Sequence, residues 1–448
     1  METHTSRKER KTPMSRDEPR TSFDRAIARA LREQLTRRRF LRQAGRGGLY
    51  AGGALSLPAI LAACGIGPSG SPSAGASASL AATPSPVGGG DPSGTLIFAN
   101  WELYIDPGAN DDPQKSPTLA AFKDKTGIET TYTENILDNQ SFFATIQPDL
   151  EAGNPTGYDM IVLTDWMIGN MIRLGYLEAI DVARDVPNFL ANAADKYKSP
   201  SYDPGNLHSV PWQSGITGIG YNPALVDEEI TSMAQLLDPA MIEKYSGQIG
   251  MFTEMRDSMS FAMLYNGVSP EQATLADAEA ARDLLLAQAP HVRKYYGNEY
   301  TDPFSNGNLA ITMAWSGDVF QLQFDNPDLK FVVPEEGAIL WVDNMCIPKG
   351  AEHPNDALAM MDYVYDPAAA AQMTEWINYI CPVPAAQDII RQHAAEASGE
   401  DRAYLEAVAE SPLVFPTEDM LSRLHSYTVL DEEQERQWNE LFQEVTQG

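Results

Sequence analysis

The chain has 448 residues, 43% hydrophobic and 9% aromatic, with 62 acidic against 32 basic side chains and a formal net charge of −30. That composition excludes a disordered chain, and at roughly 100–200 residues per domain it leaves room for two lobes, each able to bury a core. Residues 1–63 hold 14 basic and 6 acidic residues and the rest hold 18 and 56, a balance of −38. A body so negative repels nucleic acid and anionic lipid and gathers cations within a Debye length of about 8 Å.

In chain order, Thr36-Arg37-Arg38-Arg39-Phe40-Leu41-Arg42 resembles a twin-arginine export signal. The Gly- and Ala-rich apolar run behind it is too short and too interrupted for a permanent spanning helix. It ends in Leu61-Ala62-Ala63-Cys64, which looks like a lipobox, so residues 1–63 read as a signal peptide and Cys64 as the acylated amino terminus. Several acyl chains hold a protein firmly where a single one holds it marginally. Residues 64–93, almost all Gly, Ser, Ala, Pro and Thr, read as the lipidated Cys and a flexible tether. The expected location is the outer side of the cytoplasmic membrane or the periplasm, with membrane association by the lipid anchor only. In that oxidising setting Cys346 and Cys381 either pair or sit as two buried thiols.

The folded part opens with Gly94-Thr95-Leu96-Ile97-Phe98-Ala99-Asn100-Trp101, a buried strand running into a polar, aromatic loop. A helix around 119–125 is followed by Gly127 and a strand at 128–132; a third strand at 158–163 is followed by a helix at 166–174 closed by Gly175. Further helical stretches at 276–289, 355–365 and 431–444 carry apolar residues at the spacing of ordinary core faces. Alternation of strand and helix predicts α/β lobes on largely parallel sheets, with ligands outside the carboxyl ends of the strands. The loops after Ala99, Leu163, Met251 and Trp341 are therefore the places to look.

The Walker, zincin, nucleophile-elbow and C-x-x-C signals for nucleotide, zinc, acyl-transfer and thiol-redox chemistry are missing. His208, His291, His353, His393 and His425 are widely spaced and read as surface residues. Carboxylates are so common that a random acid pair says nothing about acid–base catalysis. Nothing calls for an enzyme, a cofactor or a metal.

Several segments come in a telling order: Asn100-Trp101-Glu102-Leu103-Tyr104; Tyr158-Asp159-Met160-Ile161-Val162 leading to Thr164 and Trp166; and Val210-Pro211-Trp212-Gln213-Ser214-Gly215. They continue with Phe252-Thr253-Glu254-Met255-Arg256-Asp257, Met313-Ala314-Trp315-Ser316-Gly317, Leu340-Trp341-Val342-Asp343 and Asn378-Tyr379-Ile380. Over nearly all of 94–448 this series resembles the periplasmic spermidine/putrescine-binding proteins that feed ABC importers. The resemblance implies a two-lobed, type II periplasmic-binding-protein fold with a hinge and an interlobe ligand cleft. It places lobe 1 at 94–213 plus 342–384 and lobe 2 at 214–341 plus 385–448, with crossings near 211–214, 340–343 and 382–385. It also implies ligand contacts at Trp101, Glu102, Tyr104, Thr164, Trp166, Glu254, Asp257, Trp315, Trp341, Asp343 and Tyr379, and a last one somewhere in 425–428. Glu102 stands where many members have Ser or Thr, Leu103 where an acidic residue is usual, and Asp165 adds a carboxylate. The implied partners are a polyamine and an ABC permease; the protein is expected to be a monomer.

Those residue types suit a polyamine, a hydrocarbon chain carrying ammonium groups. Flat aromatic faces pack on methylenes and attract cations by about 0.5–2 kcal/mol each, and carboxylates accept charge-assisted hydrogen bonds. Glu254 and Asp257, three apart, fall on adjoining faces of a first helical turn if a helix opens there. Two other readings stay open. The same fold could take ferric iron through Tyr295-Tyr296, or two of the carboxylates could serve an envelope hydrolase.

Overall fold

The computed structural model describes residues 85–108 and 112–447; the twin-arginine segment and Cys64 lie outside them. From the amino-terminal side the apolar run forms strand β1 (Thr95–Trp101), whose Leu96 and Phe98 are fully buried. β1 pairs in parallel with β2 (Glu129–Ile136) and β3 (Met160–Thr164). Helix α1 (Pro117–Thr126) connects β1 to β2, α2 (Asn139–Ala152) connects β2 to β3, and α3 (Asp165–Leu174) follows β3. α3 stops at Gly175, whose φ of 73° is left-handed and whose N–H closes on the Ile172 and Met171 carbonyls.

The second half repeats the scheme. β5 (Ile249–Phe252) pairs in parallel with β6 (Val292–Tyr296) and β7 (Ile311–Trp315). Helices α4 (Met255–Tyr265) and α5 (Leu275–Gln288) lie between β5 and β6, and α6 (Ser316–Leu322) follows β7. Two long strands, β4 (Ser209–Tyr221) and β9 (Ala338–Cys346), join the halves, with the short β8 (Lys330–Val332) on β4. The order across the sheet is β2-β1-β3-β9-β4-β7-β5-β6, so each half is three parallel strands met by an antiparallel crossing strand. This is the expected two-lobed α/β fold.

Residues 211–214 and 340–343, where the first two crossings are expected, lie within β4 and β9. α7 (Pro354–Tyr363), α8 (Pro367–Ile377), α9 (Ala386–Glu396) and α10 (Gly399–Glu410) put Leu358, Met373, Ile390 and Val408 into one core with Phe98 and Val162. Residues 385–414, expected in lobe 2, share this first-half core, and Tyr404 also meets Phe324 of the second half at 6.0 Å. An amphipathic helix announces a buried face without naming what covers it. The chain returns only at β10 (Leu424–His425), which pairs with β9, and at α11 (Glu432–Gln447), whose Trp438 and Phe442 join the core of α4 and α5.

Two further expectations change. The last part of the supposed tether lies against the body: Val87 N–H donates to Ala179 O at 2.8 Å, and buried Asp356 accepts from Ser93, Gly94 and Thr95. Cys346 and Cys381 are both buried free thiols, one in each of the two large cores.

Candidate functional site

Where the two halves meet, the registers of four strands set out a floor. Thr164, Asp343 and Gln213 stand in one row across β3, β9 and β4. Two residues along, Trp341 opposes Gly215; two further, Ile339, Thr217 and Trp315 stand in a row across β9, β4 and β7. Directly opposed residues share a face and side chains two apart point the same way, so these rows form one surface. The expected loop after Trp341 does not exist, because β9 continues through Asp343 to Cys346.

At one end Asp343 is 7% exposed. It accepts Tyr104 Oη at 2.9 Å on Oδ2 and Thr164 Oγ1 at 2.8 Å on Oδ1. Asn139, at the start of α2, holds Thr164 from behind, with Nδ2 to Oγ1 at 2.9 Å and the Thr164 N–H to Oδ1 at 3.0 Å. The loop carrying Tyr104 is set by Leu103, whose φ of 61° is left-handed and whose N–H donates to Glu134 at 3.0 Å. Trp212 Nε1 donates to the Tyr104 carbonyl at 3.1 Å, and Trp101 Nε1 to the Val162 carbonyl at 3.0 Å. Tyr104 meets Tyr379 edge-on at 6.0 Å, and Tyr379 tilts against Trp341 at 5.2 Å. Trp341 lies over Gly215, where a Cβ would come within 2.3 Å of its ring, so only glycine leaves room. Tyr379 Oη donates to Asp318 at 2.9 Å, tying this wall to α6.

The other end has the same construction. Asp257, in the first turn of α4 and 2% exposed, accepts Thr217 Oγ1 at 2.6 Å and Tyr427 Oη at 2.8 Å. Both reach Oδ1, leaving Oδ2 without a donor among the described residues. Half-buried Glu254 is the residue that precedes α4. Trp315 stacks on Phe252 at 4.4 Å and is braced by Tyr300, whose Oη accepts the Trp315 N–H at 3.0 Å. Arg256 lays its guanidinium over Trp166 at 4.7 Å, donates to the Thr428 carbonyl at 3.1 Å and pairs with Glu435, so α4, α3 and α11 are bound together.

The carboxyls are charged reluctantly. Burial lifts Asp343 to about 6 against the hydrogen bonds of Thr164 and Tyr104, and Asp257 to about 6 against those of Thr217 and Tyr427. Burial and then the Asp257 carboxylate lift Glu254 to about 7. Burial lifts Asp165 to about 8, with Asp343 adding to the shift and Arg256 opposing it. Tyr104 and Tyr427 are held well above the usual phenol range by burial and by the aspartates they serve, so they stay donors. The surface thus sets indoles and phenols between buried carboxyl groups at both ends, groups whose charge a neighbouring cation would favour.

The family model of the bacterial extracellular solute-binding proteins matches residues 118–399. The chain belongs to that family. This solute-binding protein is 28% identical over 306 residues to the spermidine/putrescine-binding periplasmic protein of Escherichia coli, covering 68% of this chain and 82% of that one. It is 25% identical over 367 residues to the putrescine-binding periplasmic protein SpuD of Pseudomonas aeruginosa, covering 79% and 92%. Among solved structures, the spermidine/putrescine ABC transporter substrate-binding protein PotD of Streptococcus pneumoniae superposes with a TM-score of 0.65 at 25% identity, covering 79% and 99%. The PotD lipoprotein of Treponema pallidum gives 0.64 at 19%, covering 79% and 100%, a likeness of fold. The family binds substrates for transport, and the protein is not an enzyme.

The solute-binding protein brings Tyr104, Thr164, Trp341, Asp343 and Tyr379 together at one end, and Glu254, Asp257 and Trp315 at the other. Trp166 stands beside Arg256, Trp101 is half-buried below the first end, and Glu102 is exposed, its charge felt by Glu134. Of the stretch 425–428, Tyr427 is the side chain that reaches Asp257. Sequence reading missed Thr217, Asn139 and Arg256, whose roles depend on partners 40, 25 and 179 residues away. Of the histidines, His393 is exposed, and His208, His353 and His425 are half-buried; each of these four sits beside a carboxylate, Glu375, Asp203, Asp159 and Glu271 respectively. Tyr295 and Tyr296 are consecutive on β6 and diverge, Tyr295 packing on Phe442 and Tyr296 lying under Lys294, which removes the motive for the iron reading. Among the described residues no group of three or more His, Cys, Asp or Glu is placed to hold a metal ion.

Proposed function

We propose that this solute-binding protein captures a polyamine outside the cell and delivers it to the permease of an ABC importer. The observation that carries this reading is the pair of aspartates, Asp343 and Asp257, each gripped by one tyrosine and one threonine at opposite ends of an aromatic trough. Gln213 beside Asp343 and Thr217 beside Asp257 are four residues apart on β4, roughly 13 Å at strand rise, so a guest touching both ends is elongated. Indole and phenol faces replace water around methylenes, while the aspartates supply the counter-charge without which a buried ammonium costs several kcal/mol. The likeness to the spermidine/putrescine-binding protein of E. coli and the putrescine-binding protein of P. aeruginosa supports the same class.

Ligand contacts on this reading are Trp101, Glu102, Tyr104, Thr164, Trp166, Glu254, Asp257, Trp315, Trp341, Asp343 and Tyr379. Closure of the two lobes buries guest and charges together and presents the loaded form to the permease. Export by the twin-arginine route and acylation of Cys64 would keep the binder at the membrane. A thermal-shift screen of the protein against polyamines, amino acids, sugars and ferric iron tests the assignment. Stabilisation by spermidine or putrescine alone is expected, and stabilisation by an uncharged sugar or by iron would refute it.

A further inference from the structure

Beside the principal anion of the trough stands a buried acceptor with nothing to accept. Gln213 is 1% exposed, and its Oε1 has no hydrogen-bond partner among the described residues. The β4–β9 ladder slips between Pro211 and Gln213, which makes Trp212 the extra residue. Trp212 is committed to the first-half core, its ring 5.6 Å from Phe98 and its Nε1 on the Tyr104 carbonyl. The slip brings Gln213 into register with Asp343, and directly opposed side chains have Cβ atoms about 4.5–5.5 Å apart on a common face. Thr164 flanks Asp343 on the β3 side and already donates to it; Gln213 flanks it on the β4 side and donates nothing to it. A leucine would fill this place without leaving a buried carbonyl unpaired, which is a costly state for a polar group.

We infer that Gln213 is a ligand-contacting residue that accepts one N–H of the ammonium group held by Asp343. The inference rests on the polyamine reading and deepens it by naming the amine ends that the cleft takes. Bridging Asp343 and Gln213 needs two N–H donors on one nitrogen. A primary ammonium has three and a secondary one two, whereas a tertiary ammonium has one and a quaternary one none. Gln213 therefore turns a general preference for cations into selection against fully alkylated amine ends.

The test is calorimetry on the full-length protein with putrescine and with its N,N,N′,N′-tetramethyl derivative, using wild type, Gln213→Leu and, should that variant fold poorly, Gln213→Met. Wild type should bind putrescine at least ~10-fold tighter than the tetramethyl derivative, and the variants should lose ~10-fold on putrescine, the size of one charge-assisted hydrogen bond. They should lose nothing on the derivative and melt no lower than wild type without ligand. Putrescine affinity unchanged in both variants, or an equal loss on both ligands, overturns the role of Gln213 and leaves the polyamine reading standing. A wild-type protein that binds neither of these amines nor spermidine overturns the polyamine reading itself.

Discussion

Tyr104 donates its phenol proton to Asp343 at 2.9 Å across 239 residues of sequence, fixing the carboxylate of β9 against the loop behind β1. Tyr427 does the same for Asp257 at 2.8 Å across 170 residues. The two anions are therefore placed before any guest arrives, and each keeps acceptor capacity for it. Asp343→Asn should weaken polyamine binding by at least ~1.5 kcal/mol, the lower range for a charged hydrogen bond, read by calorimetry. Unchanged affinity would remove Asp343 from the site.

The same substitution should remove a pH-dependent penalty from the empty protein. Asp343 titrates at about 6 when folded against an ordinary 3.8, so above pH 6 its charge opposes folding. The folded state holds the proton more tightly, and the cost is complete above about pH 6, shrinks as pH falls and is gone below about 4. Between pH 4 and pH 8 the stability difference should therefore move in favour of Asp343→Asn by on the order of 3 kcal/mol, on top of a pH-independent loss from giving up one of two acceptor oxygens. A difference that does not move with pH would contradict the burial argument.

Binding a cation should expel protons near pH 6. Asp343 and Asp257 are each about half protonated there when the cleft is empty, and an ammonium beside them favours the charged form. Calorimetry in buffers of different ionisation heat should show net proton release at pH 6, and affinity should fall on going from pH 8 to pH 5. Net proton uptake at pH 6 would be incompatible with carboxyls as the anchors.

Gly215 should tolerate no side chain. A Cβ there would come within 2.3 Å of the Trp341 ring, which is itself backed by Tyr379. Gly215→Ala should displace the indole, costing about 1–3 kcal/mol of stability and weakening polyamine binding. Melting, tryptophan emission and calorimetry read the effect together, and a variant equal to wild type in all three would mean that Trp341 does not lie on Gly215.

Local signals carried much of the fold. The apolar run at β1, the stop of α3 at Gly175 and the helices ending at Gln288, Tyr363 and Gln447 are legible because turn chemistry and periodicity act within a few residues. The pairing of Asp343 with Trp341 on one face follows from their spacing once β9 is known to be a strand. Illegible were the packing of residues 386–414 on the first-half core, the stack of Arg256 on Trp166 and the reach of Tyr427 to Asp257. Each depends on which buried face meets which, and that is set by the whole sheet order and not by any window of sequence.

The most direct test of the account is a crystal of the protein grown with spermidine. The account predicts an extended guest lying over Gly215 and Trp341, with one nitrogen within hydrogen-bond distance of Asp343 and another within reach of Asp257. A trough that stays empty at saturating spermidine, or holds an uncharged molecule between the two aspartates, would contradict it.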